Sequence, residues 1–317
     1  MLQNFDVVCV GGAKIDTFLT LHEANNCLRL IKETNELCIK FGEKITVDKA
    51  EILLGGNAAN MAVGASRLGL NAAIFAEIGR DAFAPKIINT LRNENVDTSN
   101  IQQTEGQQSS FSTILNYKGE RTIFSEHVRR LHNFNFQDIS TKWVYLTSLG
   151  ESWKEAYAKT VEFVKKTQSL LAFNPGTLQV QNGKNSIQNV LSFANLLLVN
   201  KEEAECILGL SEGQKSIEVL LKELKKLGPK IVVITDGKKG SFAMDTQGML
   251  LKKDIMETEV IEKTGAGDAY SSGFLSALTY NKSIAEAMGW GTKNSASVIG
   301  KVGATAGLLH KADLENT

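Results

Sequence analysis

Thr264-Gly265-Ala266-Gly267-Asp268 follows Val260-Ile261 and opens a run of small and apolar residues that reaches Tyr280. The reading of the whole chain turns on this stretch. Two glycines let the backbone turn tightly with its N–H groups pointing outward, and a helix that starts there adds the positive end of its dipole, so the turn is an anion site. A lone carboxylate at the mouth of an anion site is unexpected. Asp268 repels a bound phosphate unless its task is to take a proton from the group that attacks that phosphate, which is the arrangement phosphoryl transfer needs. A dinucleotide fingerprint is the rival reading, because Gly265-Ala266-Gly267 matches its first half. The third glycine position holds Tyr270, however, and the motif lies late in the chain rather than after the first strand.

Outward from that turn, short β-branched runs alternate with amphipathic segments. Phe5–Val10, Ala72–Ala76, Val144–Thr147, Leu170–Phe173, Leu196–Val199 and Ile231–Thr235 read as buried strands. Ala58–Leu68, Ala82–Arg92, Lys154–Lys166, Lys201–Leu208 and Ile217–Leu227 carry helical spacing. Such alternation predicts a mostly parallel α/β sheet covered on both faces. Two regions break the rhythm, about 16–54 and about 109–126, where half-polar alternation such as Phe111-Ser112-Thr113-Ile114-Leu115 predicts strands with one wet face. These form a small separate sheet inserted into the main domain.

Composition narrows the function. At 317 residues and 43% apolar the chain can bury a sizeable core. Its 35 basic and 35 acidic residues balance, which gives no support to nucleic-acid or anionic-membrane binding. No stretch approaches the roughly 18–20 apolar residues of a membrane helix. The start Phe5-Asp6-Val7-Val8-Cys9-Val10 reads as a strand rather than a signal peptide. Cys9, Cys27, Cys38 and Cys206 show no CxxC pairing, and His22-Glu23 lacks a second His at zincin spacing; scattered thiols of this kind fit a cytoplasmic protein. None of the Gly-Lys pairs at Gly183, Gly237 and Gly300 completes a P-loop.

Three further constellations each admit a structural and a functional reading. Gly55-Gly56-Asn57-Ala58-Ala59-Asn60 is either a glycine turn with an Asn cap or a close backbone approach to a ligand, with paired amides nearby. Asn200-Lys201-Glu202-Glu203, after an apolar run, is either a capping box or a place for water or Mg²⁺ near phosphates at the carboxyl edge of the sheet. Thr235-Asp236-Gly237-Lys238-Lys239-Gly240-Ser241 is either an Asp-Gly hairpin or a glycine-bracketed border along a nucleotide.

Taken in order, these motifs make the chain resemble the ribokinase-like, or PfkB, carbohydrate and nucleoside kinase family over nearly its whole length. The resemblance implies a single domain over 1–317, a doubly wound and mostly parallel sheet, with a small β-sheet lid at about 16–54 and 107–128. It implies that Asp268 is the general base for a substrate hydroxyl. The Gly265–Asp268 turn is then the anion hole, in which the amides of Ala266, Gly267 and Asp268 hold the transferring phosphoryl group. It implies that Asp16, Gly56, Asn57 and Asn60 bind the sugar, and that Asn200, Thr235, Gly237 and Gly240 border ATP. Glu203 orders Mg²⁺ through water. The helix around Thr292–Val302, with Thr292 and Asn294, stands as a wall of the nucleotide-base site.

Many relatives have an aspartate, where this chain has Glu262, that contributes to a potassium site. The Glu262 carboxylate argues for a monovalent cation and the ammonium of the adjacent Lys263 argues against it. Phe173-Asn174-Pro175-Gly176 is similar to the ribokinase NPAP turn and tips the substrate toward a free, ribose-like sugar or a nucleoside. His127-Val128-Arg129-Arg130 reads as a solvated loop, or else as a grip on a sugar phosphate. The alternatives are therefore a kinase of a phosphorylated sugar and a catalytically silent sugar-binding regulator on the same scaffold. An exposed lid face can pair across a two-fold axis, as in several family members, which allows a homodimer through the lid.

Overall fold

Val7 and Cys9 of the first strand face one way and Val8 and Val10 the other, all of them buried. That two-sided burial is the mark of a sheet covered on both faces. The computed structural model describes residues 2–21, 27–31, 33–34, 36–117, 120–126 and 128–315. His22-Glu23 and His127 lie outside the described residues.

In chain order the elements are β1 (Gln3–Val10), β2 (Lys14–Leu21), β3 (Leu28–Ile31), β4 (Glu36–Ile39), β5 (Lys49–Gly55), α1 (Asn57–Arg67), β6 (Ala72–Gly79), α2 (Ala84–Asn93) and β7 (Ile101–Thr104). Then come β8 (Phe111–Tyr117), β9 (Glu120–Ser125), β10 (Ile139–Leu146), α3 (Trp153–Thr167), β11 (Leu170–Phe173), α4 (Thr177–Gln181), α5 (Lys184–Leu191), β12 (Leu196–Asn200), α6 (Lys201–Leu208), α7 (Ile217–Lys226) and β13 (Ile231–Thr235). The chain closes with β14 (Ser241–Met244), β15 (Leu250–Lys253), α8 (Ala266–Thr279), α9 (Ile284–Ile299) and α10 (Lys311–Glu315).

Among the described residues a nine-stranded sheet runs β15-β14-β13-β12-β11-β10-β1-β6-β7. From β7 to β13 every neighbouring pair is parallel, and β14 and β15 add an antiparallel edge. Val7, Cys9, Ile74, Tyr145, Leu198 and Val233 pack on one face with Met61, Phe274 and Trp290, hence with α1, α8 and α9. Val8, Phe75, Val144, Phe173 and Val199 pack on the other with Tyr157, Ile187 and Leu221, hence with α3, α5 and α7. The chain reverses strand order beside β1, so the carboxyl ends of β1 and its neighbours open at a topological switch point, where such sheets bind ligands.

The two half-polar regions form a four-stranded sheet of their own, β5-β2-β8-β9, with β2–β8 parallel and the outer pairs antiparallel. The hairpin β3–β4 stands apart as a two-stranded sheet, and its Leu28 packs with Leu21, Leu115 and Tyr117.

Helix α9 begins at Ile284, well before the expected Thr292, and ends at Ile299 rather than Val302. Ser283 caps it with a full capping box to Glu286. Helices α8 and α9 approach so closely that a Cβ on Gly273 would lie 2.7 Å from the Trp290 carbonyl oxygen and 2.8 Å from its carbon. Backbone cannot yield there as a flexible side chain does. Gly273→Ala is therefore expected to lower unfolding free energy by about 2–3 kcal/mol. A urea melt checks this, and an unchanged midpoint would contradict the packing described.

Candidate active site

Asp268 occupies the first turn of α8, and Gly265 turns the chain into that helix with φ at 82°. A Cβ on Gly265 would fall 2.4 Å from the Ala304 methyl, so both its dihedral and its surroundings demand glycine. The Ala266 N–H makes a long contact of 3.3 Å with the Lys263 carbonyl. Gly267 and Asp268 lie in the first turn, where the helix has no carbonyl of its own to accept their N–H groups. A Cβ on Gly267 meets nothing within 4 Å, so open space faces that end of the helix.

The carboxylate itself is buried and gripped from α1. Asn57 Nδ2 donates to Asp268 Oδ1 at 3.0 Å and Asn60 Nδ2 donates to Oδ2 at 2.8 Å. Ser148, just past β10, donates to Asn57 Oδ1 at 2.7 Å and so sets the orientation of that amide. Burial pushes the Asp268 carboxyl up to about 6; the Asn60 and Asn57 amides oppose this, nearby Asp16 adds to it and Lys14 opposes it.

The small sheet supplies the opposite wall. Asp16 on β2 is buried and lies over Gly55, where a Cβ would sit 2.0 Å from Asp16 Oδ2. Gly56 follows at φ 97°, and a Cβ there would meet the Gly12 carbonyl oxygen at 2.5 Å. The Gly55-Gly56 pair is thus required by close packing on both sides. Burial raises the Asp16 carboxyl above the usual range, against the pull of Lys14 and Ser112. Its Oδ1 is buried with no hydrogen-bond partner, as is Asn60 Oδ1.

At the end of β12, Asn200 and Glu203 form a complete capping box: Asn200 Oδ1 accepts from the Glu203 N–H at 2.7 Å and Glu203 Oε2 accepts from the Asn200 N–H at 2.9 Å. The structural reading of that motif is present in the geometry. Glu203 is more than a cap, however. Burial drives its carboxyl up to about 7, the Asn200 N–H opposes this, and Glu202 and Asp268 add to it. Among the described residues no group of three or more His, Cys, Asp and Glu gathers as a metal cage. One carboxylate beside phosphates suits Mg²⁺, which keeps most of its water.

Glu262 is fully buried, and its Oε1 accepts from the Thr264 N–H at 2.7 Å and from Thr264 Oγ1 at 2.6 Å. Its Oε2 is buried without a partner, a donor set that fits a cation. The Lys263 ammonium pairs instead with Glu120 on β9.

The residues expected along the nucleotide beyond Asn200 are placed as follows. The Thr235–Ser241 stretch is a β13–β14 hairpin over a 3₁₀ turn at Gly237–Lys239, with the Asp236 N–H donating to the Gly240 carbonyl at 2.8 Å. Gly240 is needed by β15, since a Cβ would lie 2.1 Å from the Lys253 carbonyl oxygen; Thr235 is half-buried and Gly237 exposed. Thr292 lies partly exposed within α9. Asn294 is fully enclosed: its amide donates to the Ala269 carbonyl and Ser272 Oγ and accepts from the Leu309 N–H. It fastens α9 to α8 and shows no group to a nucleotide.

The loop around Arg129 and Arg130 is also not simply solvated. Arg130 is buried and donates to Gln107 Oε1 and to the Gln108 carbonyl, tying together the two connections into the small sheet. Beside it, the His132 N–H donates to Glu77 Oε2 at 2.7 Å, and burial lowers the His132 imidazole below its usual range. Lys14 and Ser148 were missed by sequence reasoning. Lys14 was legible: two residues before Asp16 on a strand, it shares that residue's face. Ser148 left no local signal.

A buried carboxylate in the first turn of a helix, with open space at Gly267, is an arrangement that suits phosphoryl transfer to an alcohol. The profile of the pfkB family carbohydrate kinases matches residues 19–311, and the chain belongs to that family. It is 27% identical over 265 residues to a 5-dehydro-2-deoxygluconokinase of Clostridium botulinum, covering 78% of each chain. It is 24% identical over 319 residues to an ATP-dependent 6-phosphofructokinase of Thermoanaerobacterium thermosaccharolyticum, covering 96% of this chain and 91% of that one. The structure of Arabidopsis thaliana ribokinase complexed with ribose and ATP superposes with a TM-score of 0.78 at 19% identity, covering 98% of each chain. No helix among the described residues is long and apolar enough to cross a membrane.

Amide donors to the ionised form hold the Asp268 carboxyl down. Asn60→Ala is therefore expected to move its titration midpoint upward from about 6, followed by ¹³C-carboxyl NMR; a downward or absent shift would refute the assigned contact.

Proposed function

We propose that this carbohydrate kinase transfers the γ-phosphate of ATP to a hydroxyl of a free sugar or nucleoside, with Asp268 as the general base. The observation that carries the reading is the buried Asp268 carboxylate, held by two amides at a helix N-terminus with open space at Gly267. A carboxyl raised to about 6 is ionised at neutral pH yet a stronger base than an exposed aspartate. The Gly267 and Asp268 amides and the helix dipole are placed to stabilise charge on the transferring group.

In this reading Asp16, Gly56, Asn57 and Asn60 orient the sugar, and Asn200, Thr235 and Gly237 border ATP. Glu203 would hold Mg²⁺ through water; bound there, the ion neutralises phosphate charge. Glu262 would hold a monovalent cation through its unpartnered oxygen. The small sheet acts as a lid that keeps water from competing as acceptor. Ile52, Phe111 and Phe124, exposed on its outer face, support a homodimer through that sheet. Arg130 is already committed to Gln107 and Gln108, so a phosphorylated sugar would depend on the exposed Arg129.

Asp268→Asn is expected to lower kcat by about 10²–10⁴-fold with ATP and sugar binding kept. ADP release and calorimetry on one preparation test this together, and near-native turnover would end the base assignment. In the native enzyme kcat/KM should fall on acidification through about pH 6, since the base must be ionised. Burial pushes the Glu203 carboxyl up to about 7 and the Asp268 charge adds to this, so the acid limb belongs to the pair. Glu203→Gln should leave a single step, and a profile flat from pH 5 to 8 would count against both groups.

A further inference from the structure

We propose that Ser148 is a positioning residue for the base: acting through Asn57, its hydroxyl favours the ionised form of the Asp268 carboxyl. This rests on the reading of Asp268 as the base and concerns what sets that base's working range.

An amide has two ends, and Asn57 is engaged at both. Its Nδ2 donates to Asp268 Oδ1 at 3.0 Å, and its Oδ1 accepts from Ser148 Oγ at 2.7 Å. Asn60 holds the other carboxylate oxygen at 2.8 Å, but its own Oδ1 is buried with no partner. The two amides are therefore not equivalent, because Ser148 stands behind one of them.

Ser148 is held in place by backbone. The Gly12 N–H donates to the Ser148 carbonyl at 3.0 Å, and the Gly12 carbonyl accepts from the Ala59 N–H at 3.4 Å. One residue thus fixes Ser148 and the first turn of α1 relative to each other. On another side Ser148 meets Gly176, where a Cβ would lie 2.3 Å from Ser148 Cβ.

A carbonyl oxygen only accepts, so the Ser148 hydroxyl commits its single hydrogen to Asn57 Oδ1. The chain from Ser148 through Asn57 to Asp268 runs from donor to acceptor and ends on a negative charge, and each bond polarises the next. A proton on Asp268 Oδ1 reverses the demand, because it needs an acceptor where Asn57 presents an N–H. Asn57 can answer only by turning over, which brings Nδ2 onto Ser148 Oγ and takes Asn57 Oδ1 away from the Ser148 hydrogen. A proton on Oδ2, beside Asn60, leaves the chain intact but ends it on a neutral oxygen, a weaker acceptor. By either route the Ser148 hydroxyl favours the ionised form.

Other groups act at the same place. Asp16 and Lys14 on β2 pull the Asp268 carboxyl in opposite directions, and Asp268 bears in turn on Glu203 at the end of β12 and on Tyr145 of β10. All of them stay in place when Ser148 is changed, so the difference between the two proteins reads the hydroxyl.

The test follows the Asp268 titration by ¹³C-carboxyl NMR in the native enzyme, in Ser148→Ala, in Asn57→Ala and in the double variant. In a Ser148→Ala protein with a native melting curve the midpoint should rise by about 0.5–1 pH unit, the range expected for one hydrogen bond. Adding Ser148→Ala to Asn57→Ala should move it by less than about 0.2 unit, since the hydroxyl has lost its intermediary. An unmoved or falling midpoint in Ser148→Ala overturns the proposal, and so does a full shift in the absence of Asn57. The pH profile gives a second reading. The loss of kcat/KM in Ser148→Ala should be about 2–5-fold greater at pH 6 than at pH 8.5. A loss of the same size at every pH marks a merely structural role and overturns the proposal too.

The NMR measurement needs no turnover, which separates this inference from the kinase reading. A midpoint that rises as expected in a protein that phosphorylates no sugar upholds the Ser148 link and refutes the base. Turnover that depends on Asp268, with a midpoint that ignores Ser148, does the reverse.

Discussion

The Asp268 carboxylate is held out of water at the first turn of α8 by two amides from α1, and the sequence separations of 211 and 208 residues make it a purely tertiary construction. A charge in that position is costly unless donors replace the lost water. The helix N-terminus and the two amides supply that replacement. They do so only if α1 and α8 lie almost in contact, and a Cβ on Gly64 would indeed fall 2.4 Å from Ser272 Oγ. Asn294 then ties α8 to α9, and the sheet face under all three helices is packed with Cys9, Ile74 and Tyr145. The packing of one side of the domain is thus directed at positioning one acid.

The small sheet completes the electrostatics. It brings Asp16 and Lys14 to the same opening, where one raises and the other lowers the proton affinity of Asp268. Asp268 in turn raises the proton affinity of Glu203 at the end of β12. Burial is the largest influence on Asp268 and Glu203 alike, and the pairwise effects trim it. A carboxyl tuned in this way depends on its walls, because burial and the charges of Asp16 and Lys14 act on it together. Lys263 paired with Glu120, and Arg130 bridging Gln107 and Gln108, fasten that sheet to the main domain at two places.

Much of the fold was legible in short apolar runs. Leu170–Phe173 and Ile231–Thr235 coincide with β11 and β13, and Lys201–Leu208 coincides with α6, because continuous β-branched runs and 3.6-residue spacing are local signals. Helix α9 was misplaced because Gly289 and Gly291 break its pattern, although Ser283 and Glu286 marked its true start. Helix α4, five residues long, was too short to show a period. At the site the same division holds. The Asn57/Asn60 and Asp268 motifs were visible as turns before helices, while Asn294 was read as a nucleotide contact and proved to be a helix clamp. Arg130 was read as a loop residue and is buried, since burial of a loop depends on what lies above it.

The sequence by itself determined the alternation of strand and helix, the two glycine turns, and the place of Asp268 in the first turn of a helix. These follow from backbone conformation and residue spacing, which neighbours along the chain control. Tertiary structure alone decided that Asn57 and Asn60 grip Asp268, that its carboxyl rises to about 6, and that Lys14 is held by Asp16 and Ser112. Proton affinity and donor satisfaction depend on which groups meet through space and how much water is left between them. Residues more than two hundred positions apart acquire that relation only when the chain has packed.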